Sequence, residues 1–168
     1  KKLPRGAKLI LVPPGKLGLS LKINKALGGA TITKVDHPTL VNSVQVGNLL
    51  FLSGNGPLKD DGKFITGKLG ADLSIEEGYE AARLTGINQI AVLKAALGDL
   101  SRVKRIIRAT GMVNAAPDFS QHPSVVNGFS DLMVEVFGER GKHTRAAIGM
   151  GSLPFNIAVE IDMIVEIK

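Results

Sequence analysis

"HTRAAIGMGSLPFNIAVEIDMIVEI", residues 143–167, reads as two apolar strands about a Gly/Ser/Pro turn, with Arg145 in the first strand and Glu160 in the second. Strand side chains alternate between faces with a period of two. A turn centred between Ser152 and Leu153 sets Arg145 directly across from Glu160. The same register gathers Ala146, Ile148 and Met150 with Val159 and Ile157 into an oily layer, and leaves Arg145, Ala147 and Gly149 with Glu160 and Ala158 on the other face. Small side chains beside a charged pair leave room for a ligand. A solvated cross-strand ion pair is the alternative, contributing ~0.2–1 kcal/mol. A turn displaced by one residue reverses every facing.

Upstream, "VNSVQV" meets Gly47-Asn48, a tight-turn pair, and "LLFLSG" follows, so the two read as a hairpin. "KDDGKF" is a further turn with Asp61-Gly62 at its tip. Ser74-Ile-Glu-Glu77 is a capping box, in which the Ser hydroxyl and the Glu carboxylate serve free N–H groups reciprocally. The helix it starts carries Tyr79, Ala82, Gly86, Ile90, Leu93 and Leu97 on one face and stops at Gly98. Gly78 and Gly86 each cost ~1 kcal/mol relative to Ala, which close packing of the helix on a sheet would explain. Val103–Val113 is β-rich. "HPSVVNGFSDLMVEVFGE" has helical spacing, with His122-Pro123 as a start and Gly138 as a stop. The order β-β-α-β-α-β-β, with a hairpin at each end, predicts an α+β sandwich: a mostly antiparallel or mixed sheet with two helices on one face.

The composition excludes several chemistries. There is no Cys, hence no disulfide, thiolate nucleophile or Cys-ligated zinc. His37, His122 and His143 lack ligand spacing, and neither a P-loop nor G-x-G-x-x-G occurs, so no metal or cofactor is expected. No apolar run approaches the ~18–20 residues that span a bilayer. The net charge of +6 is concentrated at the start of the chain. Residues 1–38 hold eight Lys and Arg against Asp36 alone, a local +7, which leaves −1 for the rest. With one Tyr and no Trp, a specific nucleic-acid role is not expected. Composition therefore divides the chain into a basic Gly/Pro/Lys-rich extension, 1–38, and a main domain, 39–168. Within the extension, "GKLGLSLKI" and "GGATITKVDHP" resemble the start of a PDZ domain over residues 14–38. A targeting remnant is a further reading, and would make an organelle the alternative to the cytoplasm.

"VGNLLFLSGNGP", the capped helix from "SIEEGYEAARL" onward and the closing "HTRAAIGMGSLPFNIAVEIDMIVEI" together resemble the RidA/YjgF family of reactive-intermediate deaminases, also called L-PSP endoribonucleases. The match runs from about Val41 to Lys168. The resemblance implies chorismate-mutase-like subunits in a homotrimer, with sheets at the centre, helices outside and carboxylate-binding clefts between subunits. It implies that Arg145 grips the carboxylate of a 2-imino acid and that Glu160 positions or activates the water that attacks the C=N carbon. Ser53 and Gly54 would form the backbone wall of the pocket. The family's pocket tyrosine falls at Leu40 and its cysteine at Ala147. Its helix asparagine maps to Asn127 or Ser130, and neither is assigned a role, a surface or capping function being the simpler reading of Asn127.

Two function classes follow. The first is an imine/enamine deaminase, a hydrolase converting 2-iminobutanoate or 2-iminopropanoate to 2-keto acids and ammonia. The second is a non-catalytic trimeric binder of small carboxylates. A ribonuclease would require a basic cleft, against which the near-neutral body argues.

Overall fold

The computed structural model describes residues 40–168; the readings of the basic extension fall outside them. The chain forms β1 (Ser43–Val46), β2 (Leu49–Asn55), α1 (Ile75–Leu97), β3 (Val103–Asn114), α2 (His122–Phe137), β4 (Thr144–Met150) and β5 (Val159–Ile167). One five-stranded mixed sheet runs β1-β2-β5-β3-β4, and both helices cover the same face. This is the α+β arrangement expected, with the element order expected.

The local signals act where the residues place them. Val46 pairs with Leu49 across a two-residue turn in which Gly47 takes φ 59°. Ser74 accepts from the Glu77 N–H, and Glu77 accepts from the Ser74 N–H at 2.8 Å. Gly98 ends α1 at φ 73°, and Gly138 ends α2 at φ 61°.

β5 occupies the middle of the sheet, and its residues alternate strictly between buried and half-buried. Val159, Ile161, Met163, Val165 and Ile167 meet the helices, packing with Phe129, Leu132, Met133, Ile90 and Leu93. Glu160, Asp162, Ile164 and Glu166 take the opposite face. The open face also carries Val44, Val46, Phe51 and Ile148, all exposed.

Two sequence readings are corrected. The last two strands do not form a hairpin. β4 runs parallel to β3, reached through the α2 crossover, and β3 separates it from β5. Parallel neighbours need a crossover of about a dozen residues or more, which the α2 segment supplies. Second, the glycines of α1 do not admit the sheet: Gly86 admits the other helix, and Gly78 admits Leu69 of the preceding loop together with Val125 of that helix. A Cβ at Gly86 would lie 2.8 Å from Leu132 Cδ2, and one on Gly128 of α2 would strike the Tyr79 backbone carbonyl. Across the same helix pair, Tyr79 Oη donates to Asp131 at 2.9 Å and Arg83 pairs with Glu135 at 3.0 Å. Among the described residues, no helix is long and apolar enough to cross a membrane.

Candidate functional site

Arg145 aligns with Ala109 of β3, which aligns with Met163 of β5; Glu160 aligns with Met112, which aligns with Ile148. The two residues are therefore two strands apart and three rows apart, on the order of 14 Å between Cα positions. They also point to opposite faces. Met163 is buried under the helices, so Arg145 shares the helix face with Ala147 and Gly149, while Glu160 shares the open face with Ile148. The direct cross-strand register, and the single oily layer built on it, are overturned. Alternation fixes facing within a strand, but the inferred neighbour was the wrong strand.

Arg145 is held against α2. Its Nη1 donates to Asn127 Oδ1 at 3.0 Å and to Ser130 Oγ at 2.9 Å, and its Nη2 donates to the Pro123 carbonyl at 3.4 Å. Nε–H and one Nη2–H have no partner among the described residues. Ser130 is in turn 3.1 Å from His143 Nε2, and His143 Nδ1 is 2.7 Å from the Gly141 carbonyl. A carbonyl only accepts, so Nδ1 carries the proton; in the neutral ring Nε2 then accepts from the Ser130 hydroxyl, whose oxygen accepts from Arg145. Burial pushes the His143 imidazole below its ordinary 6.5; the Gly141 carbonyl opposes this shift and the Arg145 charge adds to it. Both Asn127 and Ser130, left unassigned by sequence, touch the arginine. Their spacing of three puts them on one helix face, a signal present in the sequence.

Glu160 lies in an open cleft of about 220 Å³ lined by Asn42, Gly54, Asn55, Phe64 and Phe155, among others. The cleft is made by an irregularity in β2. Leu52 pairs with Met163 and Asn55 with Ile161, so β2 spends one extra residue, a bulge at Ser53-Gly54. The bulge sets Gly54 against the Glu160 carboxylate, where an added Cβ would collide with Oε1 and lie 3.0 Å from Cγ. Ser53 is committed to the protein: its N–H donates to the Asn42 carbonyl, its hydroxyl to the Val41 carbonyl, and its carbonyl accepts from Gln89. It shapes the bulge and offers the cleft no free polar group. Burial pushes the Glu160 carboxyl above its ordinary 4.5, and the nearby Asp162 charge adds to the shift. Glu160 has no hydrogen-bond or ion-pair partner among the described residues. Leu40, where the resemblance would set a pocket tyrosine, is exposed coil.

Residues 36–167 match the family described as "YjgF/chorismate mutase-like, putative endoribonuclease". A curated relative, Protein TCP17 of Trypanosoma cruzi, is 42% identical over 151 residues, covering 89% of this chain and 90% of that protein. A crystal structure of a protein of unknown function from Agrobacterium tumefaciens is 43% identical with a TM-score of 0.81, covering 90% of this chain and 97% of its own. One from Shewanella oneidensis, titled a "putative endoribonuclease", is 34% identical with a TM-score of 0.79, covering 89% and 99%.

Proposed function

The chain belongs to the YjgF/chorismate-mutase-like family, and from that premise we propose that it hydrolyses 2-imino acids to 2-keto acids and ammonia at sites shared between two copies of the chain in a homotrimer. The observation that carries this reading is Arg145: a guanidinium held by neutral acceptors, with no carboxylate partner among the described residues and two donors left over. Such a fork suits an incoming carboxylate in bidentate geometry. Glu160 is the complement, a carboxylate in a cleft that no cation lines among the described residues. Because the two point to opposite faces of one sheet, a single copy does not bring them together. A neighbour laid on the open face would cover Val44, Val46, Phe51 and Ile148, and this supports an assembly with the sheets innermost.

The chemistry needs little more. The substrate carboxylate accepts from Arg145 Nε and Nη2. Glu160 takes a proton from a water as its oxygen attacks the C=N carbon and hands that proton to nitrogen, giving a carbinolamine. Glu160 then takes the carbinolamine hydroxyl proton and returns it to the amine as the C–N bond breaks, so that the C=O bond forms and ammonia leaves. A carboxyl with a raised pKa exchanges protons closer to neutral pH, which suits it to both steps. Gly54 lets substrate and Glu160 approach the β2 backbone.

Complementation tests this. Arg145→Ala and Glu160→Gln chains are each expected to be nearly inactive. Unfolded together and refolded, they should recover about a quarter of wild-type ammonia release by random assortment in a symmetric oligomer. No recovery overturns the shared site. Thermal stabilisation by a 2-keto acid with no turnover of any imine would overturn the catalytic reading and leave a binding protein.

A further inference from the structure

We propose that the physiological substrate carries a bulky apolar side chain, branched or aromatic, and that Phe155 and Phe64 select for it; this rests on the deaminase reading above. The C=N carbon of a 2-imino acid has three substituents in one plane: carboxylate, nitrogen and side chain. With that carbon beside Glu160 and the carboxylate directed to a second copy's arginine, the side chain is left to the cleft. Among the described residues, the cleft's polar side chains beyond Glu160 are Asn42 and Asn55, and its remaining side chains, Phe64, Pro154, Phe155 and Ile157, are apolar. The Phe155 ring lies parallel to that of Phe64, with centroids 6.2 Å apart.

Phe155 is not placed by burial, since it is 81% exposed. Its backbone is left-handed, φ 54°, and Asn156 follows at φ 57°. Asn tolerates that region, whereas a bulky residue adopts it only when its surroundings impose it. The surroundings do so here. Asn114 Nδ2 donates to Asn156 Oδ1 at 2.9 Å, and the Gly67 N–H donates to the Asn156 carbonyl at 2.9 Å. Lys68 Nζ ties Asn114 Oδ1 to the Gly151 carbonyl. Three segments thus hold a strained, uncovered aromatic at the mouth of the cleft that holds Glu160. A methyl or ethyl side chain would leave that surface wet, while a branched or aromatic one covers it.

The test generates imines in situ from alanine, leucine and phenylalanine with an amino-acid oxidase, and measures kcat/KM for ammonia release. Wild type should favour the leucine- and phenylalanine-derived imines over the alanine-derived one by about tenfold or more. Phe155→Ala should shrink that preference about tenfold, and Phe64→Leu less. Wild-type preference for the alanine-derived imine overturns the proposal. So does an equal loss on all three substrates in Phe155→Ala, the result expected if Phe155 only packs against a neighbouring copy. Absence of hydrolysis on every imine by wild type overturns the deaminase reading itself, whereas hydrolysis without selectivity overturns this inference alone.

Discussion

Arg145 and Glu160 sit in opposite kinds of surroundings. Around Arg145 the polar groups hold one another: Asn127, Ser130, His143 and two backbone carbonyls form one connected set that fixes the guanidinium and leaves its Nε–H and one Nη2–H without a partner among the described residues. Around Glu160 there is an open cleft, no bonded partner among the described residues, and a carboxyl pushed up by burial. A group that binds by geometry benefits from being fixed before the ligand arrives. A group that passes protons benefits from free oxygens and a displaced pKa. Under the proposed function, recognition falls to the first region and chemistry to the second.

The largest expected effect is therefore also a sharp discriminator. Arg145→Ala should lower kcat/KM by about 100- to 1000-fold, chiefly through KM, and Arg145→Lys should recover little because an ammonium lacks the planar fork. Glu160→Gln should act chiefly on kcat. Steady-state kinetics showing both changes confined to the same parameter would break the comparison. Of intermediate size, Gly54→Ala drives a methyl group into the Glu160 carboxylate. It should cost about tenfold in kcat with little change in the binding of a 2-keto acid product, whose carboxylate rests on the other region. Calorimetric titration of that product against the variant checks the separation.

The smallest effect concerns pH. His143 has a lowered pKa in the folded protein, so the fold favours the neutral ring. The stability this reflects is present above its ordinary 6.5 and is lost as pH falls through that value toward the folded one. Protonation makes Nε2 a donor, which the Ser130 hydroxyl must then accept while it also accepts from Arg145. Urea midpoints should drop between pH 7.5 and 5.5 in wild type, and drop less in His143→Phe. Equal slopes in the two proteins would remove His143 from the arginine's support.

Much of this was legible in the residues. The capping box at Ser74, the stops at Gly98 and Gly138 and the turn at Gly47 are local devices, whose chemistry is complete within a few positions. The neighbour of β4 is not local. "TRAAIGM" alternates equally well against β5 or β3, and what decides is the helix between β3 and β4, long enough for a parallel crossover. The site was half legible for the same reason. Arg145, Glu160 and Gly54 stand out by residue type in otherwise apolar or turn-rich strands, whereas Asn127 and Ser130 look like ordinary helix-surface residues until β4 is known to lie beside α2. Phe155 carried no signal at all, because nothing in "SLPFNIA" announces a left-handed phenylalanine.

The central position of β5 has a consequence for how the chain is made. The β1–β2 hairpin and the β3–α2–β4 unit share no ladder with each other; each bonds to β5 instead. Of the five strands, the one that joins the two halves emerges last from the ribosome. Until it does, a nascent chain holds two open edges facing an unfilled slot, a condition in which another chain's strand can dock. Emergence of β5, rather than growth of the helices, then sets the moment at which this fold closes.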